Sequence, residues 1–220
     1  MITVGNDAAV VEEDLSAGRL SCPCGGQLGG HGWAVLRAVF AARGLEAGLS
    51  PDALAGRKPA VAEARPRRGR CRECGATHVL LPAWMLLRRC DGTAVIGDMI
   101  VRAARGQGPV QIADETGVPE GTVRDRLGRF RGHAGRVRAF FTALAGALSP
   151  DPVPLDPAGR TGLADAAASV GAAWVAAGAR WAALAVSAWE FAAVQTRGSL
   201  LSPLVVFRAV HGDAVPSALG

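Results

Sequence analysis

Five cysteines are the residues whose type and spacing point most directly to chemistry, and they stand at positions 22, 24, 71, 74 and 90 of 220. Cys71 and Cys74 are separated by two residues and followed by a glycine. This spacing lets both thiolates reach one metal ion at about 2.3 Å, and the glycine frees backbone N–H groups to point at sulfur. Cys22 and Cys24 precede two glycines, but only one residue separates them. In a reducing compartment, clustered cysteine pairs favour a metal ion over disulfide bonds.

We therefore predict a structural zinc ion bound by Cys22, Cys24, Cys71 and Cys74. Four protein ligands would fill the tetrahedron and leave no open position for a water molecule, which is the arrangement of a structural site. His31 and His78 follow the two pairs and could substitute for a cysteine, with His31 as the reserve ligand. In the alternative interpretation, the first pair is a half-site that holds no metal. Cys90 is expected to be a buried free thiol, the most common state of a lone cysteine.

Residues 109–131, with the sequence PVQIADETGVPEGTVRDRLGRFR, have the pattern of the second and third helices of a helix-turn-helix motif. Gly117 falls where the chain leaves the first of these helices, because a left-handed residue costs least there as glycine. Val123, Leu127 and Phe130 recur at spacings of four and three and make one apolar helix face. The second helix is thus predicted to present its other face to solvent, a form that suits a DNA major groove.

The residues expected to meet DNA lie on that other face: Glu120, Gly121, Thr122, Arg124, Asp125, Gly128 and Arg129. The first helix of the unit is predicted at 93–105, with Ile96, Met99 and Ile100 facing inward. Pro119 replaces the Ser or Thr cap that often begins such a helix, and the loss of a cap typically costs about 1 kcal/mol. The alternative is a three-helix core with a glycine turn that binds no DNA.

The positive charge of the chain is concentrated in its middle. Residues 57–138 hold 17 basic and 8 acidic residues, a net charge of +9, while the remainder holds 7 basic and 11 acidic residues. A segregated basic segment is expected of a phosphate-binding surface, and a solvated basic face without a partner is the alternative. Arg67, Arg68 and Arg70 lead into Cys71, where a β-ribbon would offer cations to a DNA or RNA backbone.

The fold class expected from these patterns is mainly α with a small β zinc ribbon. Strands are predicted at 35–40, 61–65 and 77–81, and alanine-rich helices at 163–177 and 180–196. The predicted domains, in chain order, are a flexible N-terminus at 1–19, a zinc-ribbon-like domain at 20–90, a helix-turn-helix domain at 91–148, a proline-rich linker at 149–160, a helical hairpin at 161–202 and a tail at 203–220.

No targeting or membrane segment is predicted. The first residues lack the basic region and the long apolar core of a signal peptide. The longest uncharged helical stretch, 166–179, has 14 residues, whereas a membrane span needs about 20. We expect a cytoplasmic, nucleoid-associated protein. The tryptophans of the predicted hairpin most simply form its core; alternatively they offer a face for a homo-oligomer, because exposed apolar helix faces usually mark interfaces.

The order of these parts resembles a family of small bacterial proteins that join a zinc ribbon to a helix-turn-helix and look like the DNA-binding front half of insertion-sequence transposases. The motifs that carry the resemblance are CPxCGG, RRxRCxxCGxTHxLLP and IAxExGVPxxTVRxxLxRFR, within residues 20–140. The matching positions are Cys22-Pro23, Cys24-Gly25-Gly26, Arg67-Arg68, Arg70-Cys71, Cys74-Gly75, Thr77-His78, Leu80-Leu81-Pro82, Ile112-Ala113 and 117–131. The chain departs from the family in its short first cysteine pair, in an apparent insertion at 44–62, and in Arg126, where such helices usually carry tryptophan.

The resemblance implies a DNA-binding protein, with double-stranded DNA as partner, and we do not expect an enzyme. A full transposase needs separated carboxylates that hold two metal ions. The acidic residues after the helix-turn-helix are Asp151, Asp156, Asp165, Glu190 and Asp213, and no series of strands is present to position them. We therefore expect a non-catalytic mobile-element accessory or targeting protein, with a separate transposase catalytic chain as a possible partner. A transcriptional regulator and a zinc-stabilised protein–protein adaptor are the alternatives.

Overall fold

The computed structural model describes residues 1–42, 59–149, 151, 161–181, 184, 186–202 and 207. Within these residues the chain is mixed α/β, with seven helices and two small sheets. The strands are β1 (Ile2–Val4), β2 (Leu28–Trp33), β3 (Arg37–Ala42), β4 (Pro59–Ala64), β5 (Arg67–Cys71) and β6 (Thr77–Pro82). The helices are α1 (Ala8–Ser16), α2 (Thr93–Ala104), α3 (Pro109–Thr116), α4 (Glu120–Arg131), α5 (Ala134–Leu148), α6 (Gly162–Arg180) and α7 (Ala188–Gln195).

The first sheet has four strands in the order β1-β6-β5-β2. β5 pairs antiparallel with both β2 and β6, and β1 pairs parallel with β6. α1 supplies Val11 and Leu15 to a small apolar cluster with Leu28 and Leu80 of the sheet. The sequence predicted β6 but not β2 or β5, because LGGHGW and RRGRC lack the β-branched and aromatic alternation by which strands are recognised.

The N-terminal segment is folded, so the prediction of a flexible stretch at 1–19 is wrong. β1 adds a parallel strand to the sheet, with Ile2 opposite Leu80. Asp7 caps the start of α1, because its side-chain carboxylate accepts a hydrogen bond of 2.8 Å from the Ala9 backbone N–H. A strand of three residues carries no readable alternation, and β1 finds its partner 78 residues further along the chain. Long-range pairing of this kind leaves no local signal in the sequence.

The second sheet is the antiparallel pair β3–β4, in which Phe40 lies opposite Val61. It corresponds to the strands predicted at 35–40 and 61–65, with shifted ends. Most of the insertion predicted at 44–62 lies outside the described residues. β3 is fastened to the segment before α2, since the Gly92 backbone N–H donates to the Phe40 carbonyl at 2.8 Å. The second sheet is therefore tied to the start of the helical part of the chain.

The six helices from α2 to α7 share one apolar core. α4 contributes Val123, Leu127 and Phe130, which are fully buried, and α5 packs along the length of α6. The predicted separation into domains at 91–148 and 161–202 is therefore wrong. The helices after the linker complete a core that the helices before it leave open on one side.

The ends of the last two helices also differ from the predicted hairpin. α6 continues through Gly178 to Arg180, and α7 begins only at Ala188. The start of α7 is fixed by a capping box. The Ser187 hydroxyl accepts a hydrogen bond from the Glu190 backbone N–H, and the Glu190 carboxylate accepts one from the Ser187 backbone N–H. The tryptophans considered for self-association pack against the core of the same chain: Trp174, Trp181 and Trp189. A homo-oligomer stays a prediction, and the packing of these side chains gives it no support.

By length and composition, α6 is the one helix of the described residues that would be able to cross a membrane. It is longer than the 14 uncharged residues counted in the sequence, because it extends past Asp165 at one end and to Arg180 at the other. Val170 and Ala173 are fully buried on the side that faces the helical core. A core helix of a folded domain has this composition as well.

Candidate metal centre and the exposed face of α4

The cysteines predicted as ligands come together from two turns of the first sheet. The first pair precedes β2, Cys71 ends β5, and Cys74 lies in the turn between β5 and β6. The four sulfur atoms lie within 4.8 Å of one another. The Cys22 and Cys74 sulfurs are 3.7 Å apart, and those of Cys24 and Cys71 are 3.5 Å apart. Metal–sulfur bonds of about 2.3 Å in a tetrahedron require sulfur atoms about 3.8 Å apart, so the four side chains form a possible metal site.

The first turn shows how a one-residue spacing is accommodated. The Cys22 backbone N–H donates to the Gly26 carbonyl at 2.8 Å, and the Gly25 N–H donates to the Cys22 carbonyl at 2.8 Å. Each sulfur of the first pair thereby lies close to one sulfur of the second pair. Gly26 is needed for close approach, because a Cβ at this position would lie 2.7 Å from Cys71 Sγ. The short first pair is therefore compatible with a complete set of four sulfurs.

The second turn supplies hydrogen-bond donors to sulfur. The Cys71 backbone N–H donates to the Ala76 carbonyl at 2.9 Å, and the Gly75 N–H donates to the Cys71 carbonyl at 3.2 Å. The resulting turn points the Cys74 N–H at Cys71 Sγ, at 3.5 Å. Backbone N–H groups directed at a sulfur stabilise its thiolate form.

The thiols differ in acidity for this reason. Hydrogen bonding from the Cys74 backbone lowers the pKa of Cys71 to about 7, against the effect of burial. The backbone of Cys24 acts in the same direction on Cys22, but burial and the neighbouring thiols outweigh it and raise the pKa of Cys22 to about 12. The Cys71 thiol thus ionises near neutral pH, whereas the raised pKa values of Cys22 and Cys74 keep those two thiols protonated. A metal ion binds thiolates and displaces such protons.

The two histidines considered as ligands lie beside the cysteine cluster, whereas Cys90 lies outside it. His31 is exposed on β2, in a shallow groove that Arg70, Arg72, Cys71 and Cys74 also line. His78 is buried, and its Nε2 is 3.2 Å from Cys22 Sγ. Cys90 is exposed, so the prediction of a buried thiol is wrong. It lies in the loop before α2 rather than in a packed element, which the sequence around it does not reveal.

The predicted DNA-contacting arginines of β5 have different surroundings. Arg67 pairs with Glu12, and its guanidinium lies 4.9 Å from the centre of the Trp33 ring. Arg70 donates to the Gly75 carbonyl at 3.2 Å and is otherwise exposed. Arg68 has no hydrogen bond or ion pair among the described residues. Arg67 therefore fastens α1 to the sheet, and Arg68 and Arg70 remain available on its outer surface.

The predicted DNA-contacting residues of α4 share one side of the helix. Gly121, Arg124 and Gly128 are exposed, and the others are partly exposed: Glu120, Thr122, Asp125 and Arg129. No atom lies within 4 Å of a Cβ built on either glycine. Pro119 precedes the helix without a side-chain cap. The two glycines therefore have no packing role within the described part of the chain.

Ion pairs along α4 are the feature that the sequence prediction missed. Arg124 Nε donates to Glu120 at 2.8 Å, and Arg129 Nε donates to Asp125 at 2.9 Å. The hydrogen bond from Arg129, together with the nearby charges of Arg129 and Arg126, lowers the pKa of Asp125 although partial burial opposes it. The spacing of four residues was visible in the sequence and is a known signal for such pairs.

The head of Arg126 is directed into the protein rather than to solvent. Its Nε donates to the buried carboxylate of Asp91 at 2.7 Å, and a second nitrogen donates to Asp125. The side chains of Arg126 and Asp91 are only 12% and 5% exposed. Arg126 thus joins α4 to the segment that precedes α2, a contact between residues 35 positions apart.

No known protein family, no curated protein and no solved structure matches this chain.

Proposed function

We propose that the protein is a non-catalytic DNA-binding protein in which α3 and α4 form a helix-turn-helix and α4 enters the major groove. The observation that carries the proposal is the division of α4 into a fully buried apolar face and an open face that bears two glycines without packing partners among the described residues. Glycine in the middle of a helix costs about 1 kcal/mol relative to alanine. Glycine is explained at these two positions if another molecule has to approach the helix backbone closely there.

The turn between α3 and α4 supports the same proposal. Gly117 adopts a left-handed conformation with φ of 74°, and its N–H donates to the Ala113 carbonyl at 2.8 Å. Val118 follows and is buried. The turn is three residues long, within the range of the DNA-binding helix-turn-helix.

The ion pairs of α4 limit what this helix contributes electrostatically. Arg124 and Arg129 would have to exchange their carboxylates for DNA phosphates or base edges, so the gain is smaller than for free arginines. Arg68 and Arg70 have no such carboxylates among the described residues and are better placed to contribute the salt-dependent part of binding. The net positive charge of residues 57–138 supports an electrostatic contribution to DNA binding from arginines outside α4.

We further propose that the metal is zinc and that its role is structural. Four thiolates in a tetrahedron suit zinc or an iron–sulfur cluster, and zinc is the simplest occupant of a closed four-cysteine site. It would staple the loop before β2 to the turn after β5, next to a small apolar cluster. When bound, zinc supplies charge and bond directions that hold these turns, and no catalytic step is assigned to it.

A mobile-element accessory or targeting role is the narrower proposal, and it rests on the resemblance alone. The same chain would serve equally as a transcriptional regulator. Selection of bound duplexes from a random pool, followed by a search for the selected sequence at the ends of mobile elements, separates the two. A sequence found only upstream of other genes would contradict the mobile-element role.

Substitution of Arg124 or Arg129 by alanine tests the proposed DNA contact. Loss of one base-edge contact is expected to cost about 1–3 kcal/mol, roughly 5- to 150-fold in Kd, and to relax selectivity. Fluorescence anisotropy with the selected duplex measures it. Arg138→Ala is the matched control, because Arg138 lies on α5 in a loose ion pair of 3.7 Å with Asp165. Equal affinities for all three variants and the wild type would show that α4 is not the DNA-contacting helix.

A zinc-stabilised protein–protein adaptor is the second candidate function. It is favoured by an exposed apolar set near the β2–β3 connection: Trp33, Val35 and Leu36, with Val61 on β4. Exposed apolar patches mark interaction sites. If the wild-type protein binds no duplex from the random pool at low salt, this candidate replaces DNA binding.

A further inference from the structure

His78 lies on β6 with a buried side chain, and both of its ring nitrogens have close neighbours. Nε2 is 3.2 Å from Cys22 Sγ, and Nδ1 is 3.1 Å from the Met1 nitrogen. The ring therefore stands between the start of β1 and one of the four sulfurs. Neither the ligand set nor the proposed DNA contact uses it.

The protonation of the ring follows from its sulfur neighbour once a metal is bound. Cys22 is then a thiolate, which accepts hydrogen bonds and has no hydrogen to donate. A contact of 3.2 Å is attractive only if Nε2 carries the hydrogen, because the other tautomer would direct a lone pair at the negative sulfur. Nδ1 then presents its lone pair to the Met1 nitrogen, which bears hydrogens. Both contacts are satisfied by the single tautomer protonated on Nε2.

This assignment separates His78 from the metal ligands. An imidazole nitrogen that carries hydrogen has no lone pair for a metal, and Nδ1 is directed to Met1. Four sulfurs already fill a tetrahedron, with pairs at 3.7 and 3.5 Å. His78 therefore contacts a ligand atom, Cys22 Sγ, and would not contact the metal itself.

We propose that His78 is a positioning residue of the metal centre, which donates an Nε2–H hydrogen bond to the Cys22 thiolate and holds that sulfur in the ligand set. The inference rests on the proposed zinc centre. Four thiolates and one divalent cation leave a net charge of −2, and a buried charge is costly unless hydrogen bonds satisfy it. Cys22 is one of the two buried ligands, so it has the greater need of a donor. His78, on strand β6 of the first sheet, supplies this donor.

The test compares His78→Phe, which removes the donor, with His78→Gln, which keeps an N–H donor. Removal of a group that orients a metal ligand typically weakens metal affinity about 10- to 100-fold. We expect this loss for His78→Phe in competition with a zinc chelator, and a smaller loss for His78→Gln. His133→Phe is the matched control, since it makes the same change at a buried histidine that is not part of the four-sulfur cluster. Unchanged affinity in His78→Phe would overturn the proposal.

Two measurements on the wild-type protein do not depend on the folding of any variant. Cobalt substituted for zinc should show the absorption of four thiolates, and a spectrum of three thiolates with one nitrogen would make His78 or His31 a ligand and overturn the proposal. Nitrogen-15 NMR of the zinc-bound protein should show His78 protonated on Nε2. Protonation on Nδ1 alone would overturn the inference and leave the zinc centre standing, whereas a wild-type protein without bound zinc would overturn both.

Discussion

Single residues decide how the exposed face of α4 can be used. Arg124 and Arg129 have the charge that DNA binding requires, but each is already paired with a carboxylate four residues earlier. Gly121 and Gly128 have the opposite character, since they lack any contact that would explain them within the described residues. Because the arginines are paired and the glycines are open, we expect α4 to contact DNA through close fit of shape more than through strong electrostatic attraction.

Gly128→Ala tests this interpretation. Alanine is expected to stabilise the fold by up to about 1 kcal/mol, because it is the better helix former and its methyl group meets open space. Affinity for the selected duplex is expected to fall by about tenfold, or about 1.4 kcal/mol, because the methyl group obstructs close approach. Gly146→Ala, at an equally open position of α5, is expected to stabilise the fold without any effect on binding. Thermal melts and anisotropy measure the two effects, and equal binding by both variants would remove the close-contact argument.

His133 gives the fold a predictable dependence on pH. The ring is buried, and its Nε2–H donates to the Leu200 carbonyl at 2.6 Å. Burial lowers its pKa from the ordinary value of 6.5, although the bond to Leu200 opposes the shift. Because the unfolded chain takes up the proton first, stability is full above about pH 6.5 and is lost as the pH falls toward the lowered folded value.

The matched variant is His133→Gln, which keeps a donor for Leu200 and does not titrate. We expect the melting temperatures of the two proteins to fall by different amounts between pH 8 and pH 5.5, with the larger fall in the wild type. The other titrating groups are common to both proteins, so the difference isolates His133. Parallel curves would mean that the ring is protonated equally easily in the folded and unfolded chain.

At the scale of elements, contacts between segments far apart in sequence orient α4. Its apolar face lies in the helical core, and Arg126 fastens its outer edge to Asp91. Asp91 in turn lies in the segment that bonds to β3 through Gly92 and Phe40. The second sheet and α4 therefore share one support. In the proposed function, this support sets the angle at which the helix meets DNA.

Arg126→Met is expected to destabilise the protein by about 3–5 kcal/mol, since it leaves the Asp91 carboxylate buried without its partner. The double variant with Asp91→Asn should recover a large part of the loss. Arg138→Met is the control, because the ion pair of Arg138 with Asp165 also joins two segments of the chain but its arginine is half exposed, and such pairs contribute about 0–1 kcal/mol. Urea denaturation measures all three. A loss in Arg126→Met no greater than in the control would show that the buried pair does not hold α4.

At the scale of the whole molecule, the described residues form three apolar clusters; one joins β3 and β4 to β6 through Val39, Ala64 and Leu81, and the other two divide the rest of the structure. The helices from α2 to α7 share the larger cluster, and the first sheet with α1 has a smaller one that includes Cys22 and Cys71. The smaller cluster has few large side chains, so a metal would contribute a greater share of the stability there than in the helical core.

Removal of metal is therefore expected to loosen the first sheet and leave the helices largely folded. Hydrogen exchange should show that a chelator removes protection from β2 and β5 but not from α5. Cys71→Ser is expected to abolish binding of about one zinc per chain, whereas Cys90→Ser should retain it, since Cys90 is outside the cluster. Equal zinc content in the two variants, or protection of β5 that survives the chelator, would contradict the proposed staple.

The sequence by itself determined the features that depend on local spacing. The two cysteine pairs named all four members of the candidate metal site, and the periodicity of Val123, Leu127 and Phe130 identified the buried face of α4. The uncapped start of α4 at Pro119 and the left-handed glycine of the α3–α4 turn were also readable, because each depends on a backbone conformation set within a few residues.

The tertiary structure decided everything that depends on residues distant in the chain. It made 1–19 part of a sheet, merged two predicted helical domains into one core, and directed Arg126 inward to Asp91. It also placed His78 against Cys22, 56 residues away. The physical reason is the same in each case: the free energy of these contacts comes from burial and pairing between segments whose proximity only the complete fold creates, so no local pattern records them.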